Sequence, residues 1–185
     1  YLIVDEVQEI EEWERAIISL AARGDIDILI SGSNAHLLSS ELATLISGRY
    51  IEIPVYSLGF AEHLQFSEQD RSNRQEEFTN FLRMGGMPAT YHFERDEELI
   101  HQYIGSVYNT ILLKDIVKRH SIRNVALLEN IARYLFDNIG NTMSAKRIAD
   151  YLKAQRLRVG VDTVQNYLGY FTEALLAHKV LRYDM

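Results

Sequence analysis

The chain has 185 residues, 47% hydrophobic and 24% charged, with a net charge of −7; that balance suits one globular domain or two small ones and excludes a disordered or fibrous class. It has no cysteine, which excludes a disulfide frame and a cysteine-based zinc site and fits a reducing cytoplasm; no apolar run nears the roughly 18 residues of a membrane span, so no membrane partner is expected. Residues 1–113 carry 7 Lys/Arg against 19 Asp/Glu and residues 114–185 carry 12 against 7, a sign change that suggests two modules with different partners.

Tyr1-Leu2-Ile3-Val4-Asp5-Glu6 reads as a short buried strand closed by two carboxylates. A parallel strand delivers ligands in this way to the carboxyl edge of an α/β sheet. The form is that of a Walker B segment, in which Asp5 would hold Mg²⁺, usually through water, and Glu6 would activate the attacking water. The competing reading is a core strand that ends in surface acids.

Residues 9–23 space Ile10, Trp13, Ile17, Ile18, Leu20 and Ala21 at a helical period, and Gly24 ends the helix. Ile26–Ile30 is a second buried strand, closed by Ser31-Gly32-Ser33-Asn34. Ser33 or Asn34 fits the small polar sensor that such a neighbouring strand offers to the attacking water or γ-phosphate; the alternative is a polar turn capping the next helix. A helix is expected over 37–46. Arg49 then precedes a third strand, Tyr50–Val55. Its guanidinium reads as a finger toward a neighbouring subunit's phosphate or as a surface ion pair. This strand–helix alternation is a parallel α/β unit. Three strands are too few, so at least two more are expected upstream and the chain reads as a fragment of a longer protein.

Residues 58–113 look helical. Gln65–Gln75 is a polar loop, Glu76–Arg83 a helix stopped by Gly85-Gly86-Met87-Pro88, and a long helix spans about Glu97 to Val117. Its buried face is expected to hold Ile100, Tyr103, Ile104, Val107, Tyr108, Ile111, Leu112 and Ile116. From Asn124 the cadence is that of a winged helix. One helix covers Val125 to Asn138, and Ser144 caps a second. Asp162 or Thr163 caps a third with Val164, Tyr167, Leu168, Phe171 and Leu175 inward, and Val180-Leu181-Arg182-Tyr183 begins a wing strand. The third helix has no Lys or Arg, so phosphate contacts would fall to Lys146, Arg147, Lys153, Arg156, Arg158, Lys179 and Arg182. His36, His63, His92, His101, His120 and His178 show no metal spacing and are assigned no chemistry.

Taken in order, several stretches resemble the prokaryotic AAA+-like ATPases that carry a C-terminal DUF4143 region. They are Leu2-Ile3-Val4-Asp5-Glu6-Val7-Gln8, Ile30-Ser31-Gly32-Ser33-Asn34, Ser47-Gly48-Arg49, Pro54, and Leu58-Gly59-Phe60-Ala61-Glu62-His63-Leu64. Gly85-Gly86-Met87-Pro88, Leu113-Lys114-Asp115-Ile116 and the helix pair around Thr163–Leu168 extend the match. The resemblance implies Asp5 as Mg²⁺ ligand, Glu6 as catalytic acid, Ser33 as sensor and Arg49 as finger. Its Walker A loop would lie upstream of Tyr1, and its nuclease-like portion would follow Tyr183.

The fold class expected is α/β plus α: a partial parallel P-loop-type sheet over 1–64, a helical lid over 65–117 and a C-terminal winged helix over 118–185. The function expected is that of a C-terminal fragment of an ATP-binding and ATP-hydrolysing protein. In the intact protein it would take ATP and Mg²⁺; a homo-oligomer is a candidate assembly, and the winged helix reads either as a DNA contact or as a packing module. The fragment lacks the phosphate-cradling amides, so by itself it should bind ATP weakly or not at all. The alternatives are a non-enzymatic winged-helix nucleic-acid-binding or protein-assembly module, and a toxin–antitoxin or defence regulator with a protein partner.

Overall fold

A computed structural model describes residues 1–33, 50–66, 73–181 and 183. It divides the chain into two compact units, Tyr1–Tyr50 with Ile111–Met185, and Ile51–Thr110. The expected helix over 37–46, the sensor candidate Asn34, the finger candidate Arg49 and the wing residue Arg182 lie outside the described residues.

The first unit opens with β1 (Leu2–Val4), a short 3₁₀ turn at Val7–Glu9, α1 (Trp13–Arg23) and β2 (Ile28–Ile30). The two strands pair in parallel, with Leu2 opposite Ile28, Ile3 opposite Leu29 and Val4 opposite Ile30. Side chains alternate across the pleat, so one face of the pair holds Val4, Ile28 and Ile30, which pack on a core of Val7, Trp13 and Ile17. On the other face Ile3 is 72% and Leu29 58% exposed. The α-helix begins at Trp13, later than its apolar spacing suggests, because Glu12 sits in the left-handed region at φ 53°. Gly24 ends it at φ 69°, a conformation that costs glycine little.

The second unit contains α2 (Phe60–Phe66), α3 (Arg74–Met84), a 3₁₀ segment at Pro88–Phe93 and α4 (Glu97–Thr110). Asn73 caps α3 by accepting the Glu76 amide. The predicted strand Tyr50–Val55 is a correction: the segment joins no sheet, and Ile51 is 88% exposed. A strand needs a hydrogen-bonding neighbour, and among the described residues the sheet contains only β1 and β2.

Back in the first unit, the chain after α4 widens into a π-helix at Ile111–Lys118 that buries Leu112, Asp115 and Ile116. Then come α5 (Val125–Asp137), α6 (Ala145–Ala154) and α7 (Val161–Glu173). Asn124 caps α5 through the Leu127 amide at 3.0 Å, and Ser144 caps α6 through the Arg147 amide at 3.2 Å. Leu128, Ile131, Ala132, Ile148, Ala149, Leu152, Val164 and Phe171 are fully buried. The helical spacing that predicted these three elements is met by that shared core.

Three details of the tail differ from expectation. Helix α7 starts at Gly160 without a side-chain cap, so neither Asp162 nor Thr163 takes that place. Leu175 is exposed and Ala174 buried, because the helix has ended and Leu175 turns the chain at φ 55°. Val180, Leu181 and Tyr183 are exposed and form no strand, since no described segment pairs with them. The three-helix core is present; a wing is not among the described residues.

Truncating a fully buried side chain removes apolar contact and leaves a cavity. Leu152→Ala should cost about 3 kcal/mol in a urea-unfolding measurement. A loss below about 1 kcal/mol would contradict the packed three-helix core.

Candidate functional site

The polar edge of the strand pair is built by backbone hydrogen bonds that continue past the ladder. Ser31 N donates to Val4 O at 2.9 Å, and Val7 N donates to Ser31 O at 3.0 Å. The chain leaving β2 is thus clasped to the turn leaving β1. Two side chains follow: the Ser31 hydroxyl donates to Asp5 Oδ1, and the Gln8 amide donates to Glu6 Oε2. Gln8 Nε2 also lies 3.3 Å from Ser33 Oγ. Glu6 holds the left-handed backbone at φ 50°, ψ 48°, a strain of order 1 kcal/mol for a non-glycine residue.

Three sequence candidates therefore meet at one edge. Asp5 and Glu6 follow the last residue of β1, and Ser33 is tied to Glu6 through Gln8. Sequence reasoning gave no role to Gln8, Ser31 or Asp115, the last named only within the stretch Leu113-Lys114-Asp115-Ile116. The Ser33 hydroxyl donates to Asp115 Oδ1 at 3.0 Å across 82 residues of chain. Asp115 is only 6% exposed, and Arg119 stands 3.8 Å from it. The available signal was an acid beside Leu112 and Ile116 on an otherwise apolar stripe, where an unpaired charge would be costly. Lys114 and Lys118 reach Glu9 at 3.5 and 3.9 Å, but these half-exposed pairs add little.

Asp5 and Ser31 place a carboxylate and a hydroxyl side by side, the hard oxygen type that Mg²⁺ takes. Among the described residues no group of three or more His, Asp and Glu is placed to hold a metal ion. A cation at Asp5 would therefore draw its other ligands from water and phosphate, the usual manner for Mg²⁺. The buried acceptor Gln8 Oε1 has no hydrogen-bond partner among the described residues; being an acceptor, it would take a donor such as water and not another oxygen anion. The donor set fits a Mg²⁺–phosphate ligand in part; no G-x-x-x-x-G-K-[ST] loop stands in the chain to cradle the phosphates.

A second polar cluster lies inside the other unit. His63 is buried; its Nδ1 is 2.5 Å from Tyr91 Oη and its Nε2 is 3.5 Å from Glu77 Oε2. The longer contact is not a good hydrogen bond, and Nε2 has no hydrogen-bond partner among the described residues. Arg95 donates to both Glu77 oxygens at 3.0 Å. Phe60 and Phe81 close over the His63 ring. Burial by itself would raise the Glu77 carboxyl, but Arg95, then His63 and Asn80, outweigh it and hold it below its ordinary range. Burial, with the Glu77 charge, pushes the Tyr91 hydroxyl up. Nearby, Leu58 N donates to Gly86 O at 2.7 Å, and a Cβ on Gly86 would collide with the Leu58 carbonyl, so the second glycine of Gly85-Gly86 is needed for a close backbone approach.

Residues 75–185 match a family described as a domain of unknown function, DUF8612, where the sequence resemblance named a DUF4143 region. Residues 1–64 match a family described as an AAA domain. An uncharacterized protein of Haemophilus influenzae is 33% identical over 187 residues, covering all of this chain and 46% of that protein. An uncharacterized protein of Methanocaldococcus jannaschii is 30% identical over 184 residues, covering 95% of this chain and 41% of that one. The chain thus spans less than half the length of these curated relatives. No solved structure matches it.

Glu77 has a folded pKa below its unfolded value of about 4.5, so its contribution to stability is present above that pH and is lost as the pH falls through the folded value. Glu77→Gln should cost about 2 kcal/mol at pH 7, the low side for a buried pair because the Arg95 side chain is 40% exposed. Thermal melts of both proteins should converge as the pH is lowered from 5 toward 3. A gap that persists unchanged at low pH would contradict the charged pairing.

Proposed function

We propose a function for a chain that belongs, over residues 75–185, to the family of the domain of unknown function DUF8612: it carries the acidic half of an ATP-hydrolysing site. The observation that carries this reading is the meeting of Asp5, Glu6 and Ser33 at the carboxyl edge of a parallel strand pair, within the region that matches an AAA domain. Ligands bind at that edge in open α/β sheets.

In this reading Asp5 holds Mg²⁺, with Ser31 fixing its carboxylate. Bound Mg-ATP supplies the phosphoanhydride to be cleaved and the cation that offsets its charge. Glu6 takes the proton of the attacking water at its carboxylate, which the Gln8 amide holds in place. Ser33 or Asn34 reads the water or γ-phosphate, and Arg49 reaches a neighbouring copy in a homo-oligomer. The loop that cradles the phosphates comes from the remainder of the whole protein. The finer kinship, to AAA+-like ATPases with a DUF4143 region, belongs to the same proposal, with a lid at 65–117 and a winged helix at 118–185.

A second reading, a nucleic-acid-binding or assembly module, has one observation in its favour. Lys146 and Arg147 line an open cavity at the start of α6, together with Thr142, Met143, Ser144 and Asp150. They belong to the part of the chain that carries the excess of positive charge.

The direct test of the ATPase reading is Glu6→Gln in the whole protein. Nucleotide binding should persist while turnover falls at least about 100-fold, the contribution of a positioned general base. Unchanged turnover would remove Glu6 from that role.

A further inference from the structure

We infer that Asp115 is a positioning residue for this site, through which the Ile111–Lys118 helix and the nucleotide edge sense one another. The inference rests on the ATPase reading above and adds to it a residue contributed by the DUF8612 region.

A buried carboxylate must be hydrogen-bonded or paired. Among the described residues, the hydrogen bond to Asp115 comes from the Ser33 hydroxyl at 3.0 Å, while Arg119 at 3.8 Å is too far for one. Leu112 and Ile116 on the same helix are at most 1% exposed, so packing fixes where the carboxylate stands. That helix is a π-helix, a rare departure from α geometry that is frequent at functional sites.

Ser33 has one hydroxyl proton. With that proton on Asp115, its oxygen turns lone pairs toward Gln8, whose amide also donates to Glu6. Asp115 thus orients Ser33, Ser33 helps place Gln8, and Gln8 places Glu6. The same proton is what Ser33 would offer to a phosphate oxygen, which can only accept. It cannot serve both acceptors fully. Giving it up leaves Asp115 with Arg119 as its nearest cation, on a helix that has lost its tie to β2. By linkage, whatever holds that helix must in turn act on the nucleotide edge.

The experiment is a double-mutant cycle of Ser33→Ala and Asp115→Asn in the whole protein, read in two ways. Without nucleotide, the loss in urea midpoint of the double variant should equal that of the worse single variant rather than their sum. Ser33→Thr, which keeps the hydroxyl, should leave the Asp115 effect intact. With Mg-ATP, Asp115→Asn should lower kcat about tenfold and leave KM within about twofold, the signature of a group acting on the reacting arrangement rather than on uniform binding. Hydrogen exchange over 111–118 should quicken severalfold on adding Mg²⁺ with a slowly hydrolysed ATP analogue, and not in Ser33→Ala. An additive cycle, an unchanged kcat, or exchange insensitive to nucleotide would overturn the role of Asp115. Wild-type protein that neither binds nor hydrolyses ATP would overturn the ATPase reading, and this coupling with it, whatever the nucleotide-free cycle gives.

Discussion

Ser31 accepts the Val7 amide at 3.0 Å and gives its hydroxyl to Asp5, so one residue pins the turn after β1 from both backbone and side chain. Three residue pairs of parallel ladder would be marginal in water by themselves. What makes the pair hold is Val7, which follows the acids, is fully buried and anchors the Trp13 and Ile17 face of α1. Apolar burial and the clasp therefore act on the same six residues of chain. The acids stay at the edge because the residues on either side of them are committed elsewhere.

From that edge the polar contacts run inward. Gln8 spans Glu6 and Ser33, and Ser33 spans Gln8 and Asp115. Networks of this kind are costly if half satisfied and rigidifying if complete. Most of this one is complete; the unpartnered Gln8 Oε1 is the exception, and it sits beside the group proposed to activate water. The second unit solves a similar problem differently. There Glu77 is buried with a guanidinium and an imidazole for company, under a cover of phenylalanine rings. The carboxylate is paired within its own unit by Arg95, while His63 Nε2 has no hydrogen-bond partner among the described residues.

Much of the architecture was legible from local signals. The apolar run before Asp5, the helical spacing of residues 125–173 and the cap at Ser144 are short-range facts, and the structure contains each of them. Tyr50–Val55 misled because alternation and β-branching state a preference, while a strand exists only beside a partner. Leu175 misled because a helical stripe was extended past the point where the chain reverses. Asp115 and His63 were named in the sequence but given no role, for another reason: their partners Ser33 and Glu77 are 82 and 14 residues away, and neither distance leaves a periodic trace. At the edge itself, the acids were visible as the end of a strand. The amide that orients Glu6 was not, because its role depends on the left-handed turn at Glu6 that brings Gln8 back over it.

The Asp5 edge is the proposed cation side of a nucleotide site. The most direct measurement replaces Mg²⁺ with Mn²⁺ in the whole protein bound to ADP and locates the metal by anomalous scattering. Manganese is expected at the Asp5 carboxylate, at about 2.1 Å if bound directly or about 4 Å through a water, close to the Ser31 hydroxyl. Manganese and nucleotide bound together at any other part of the protein, with the Asp5 edge bare, would contradict it.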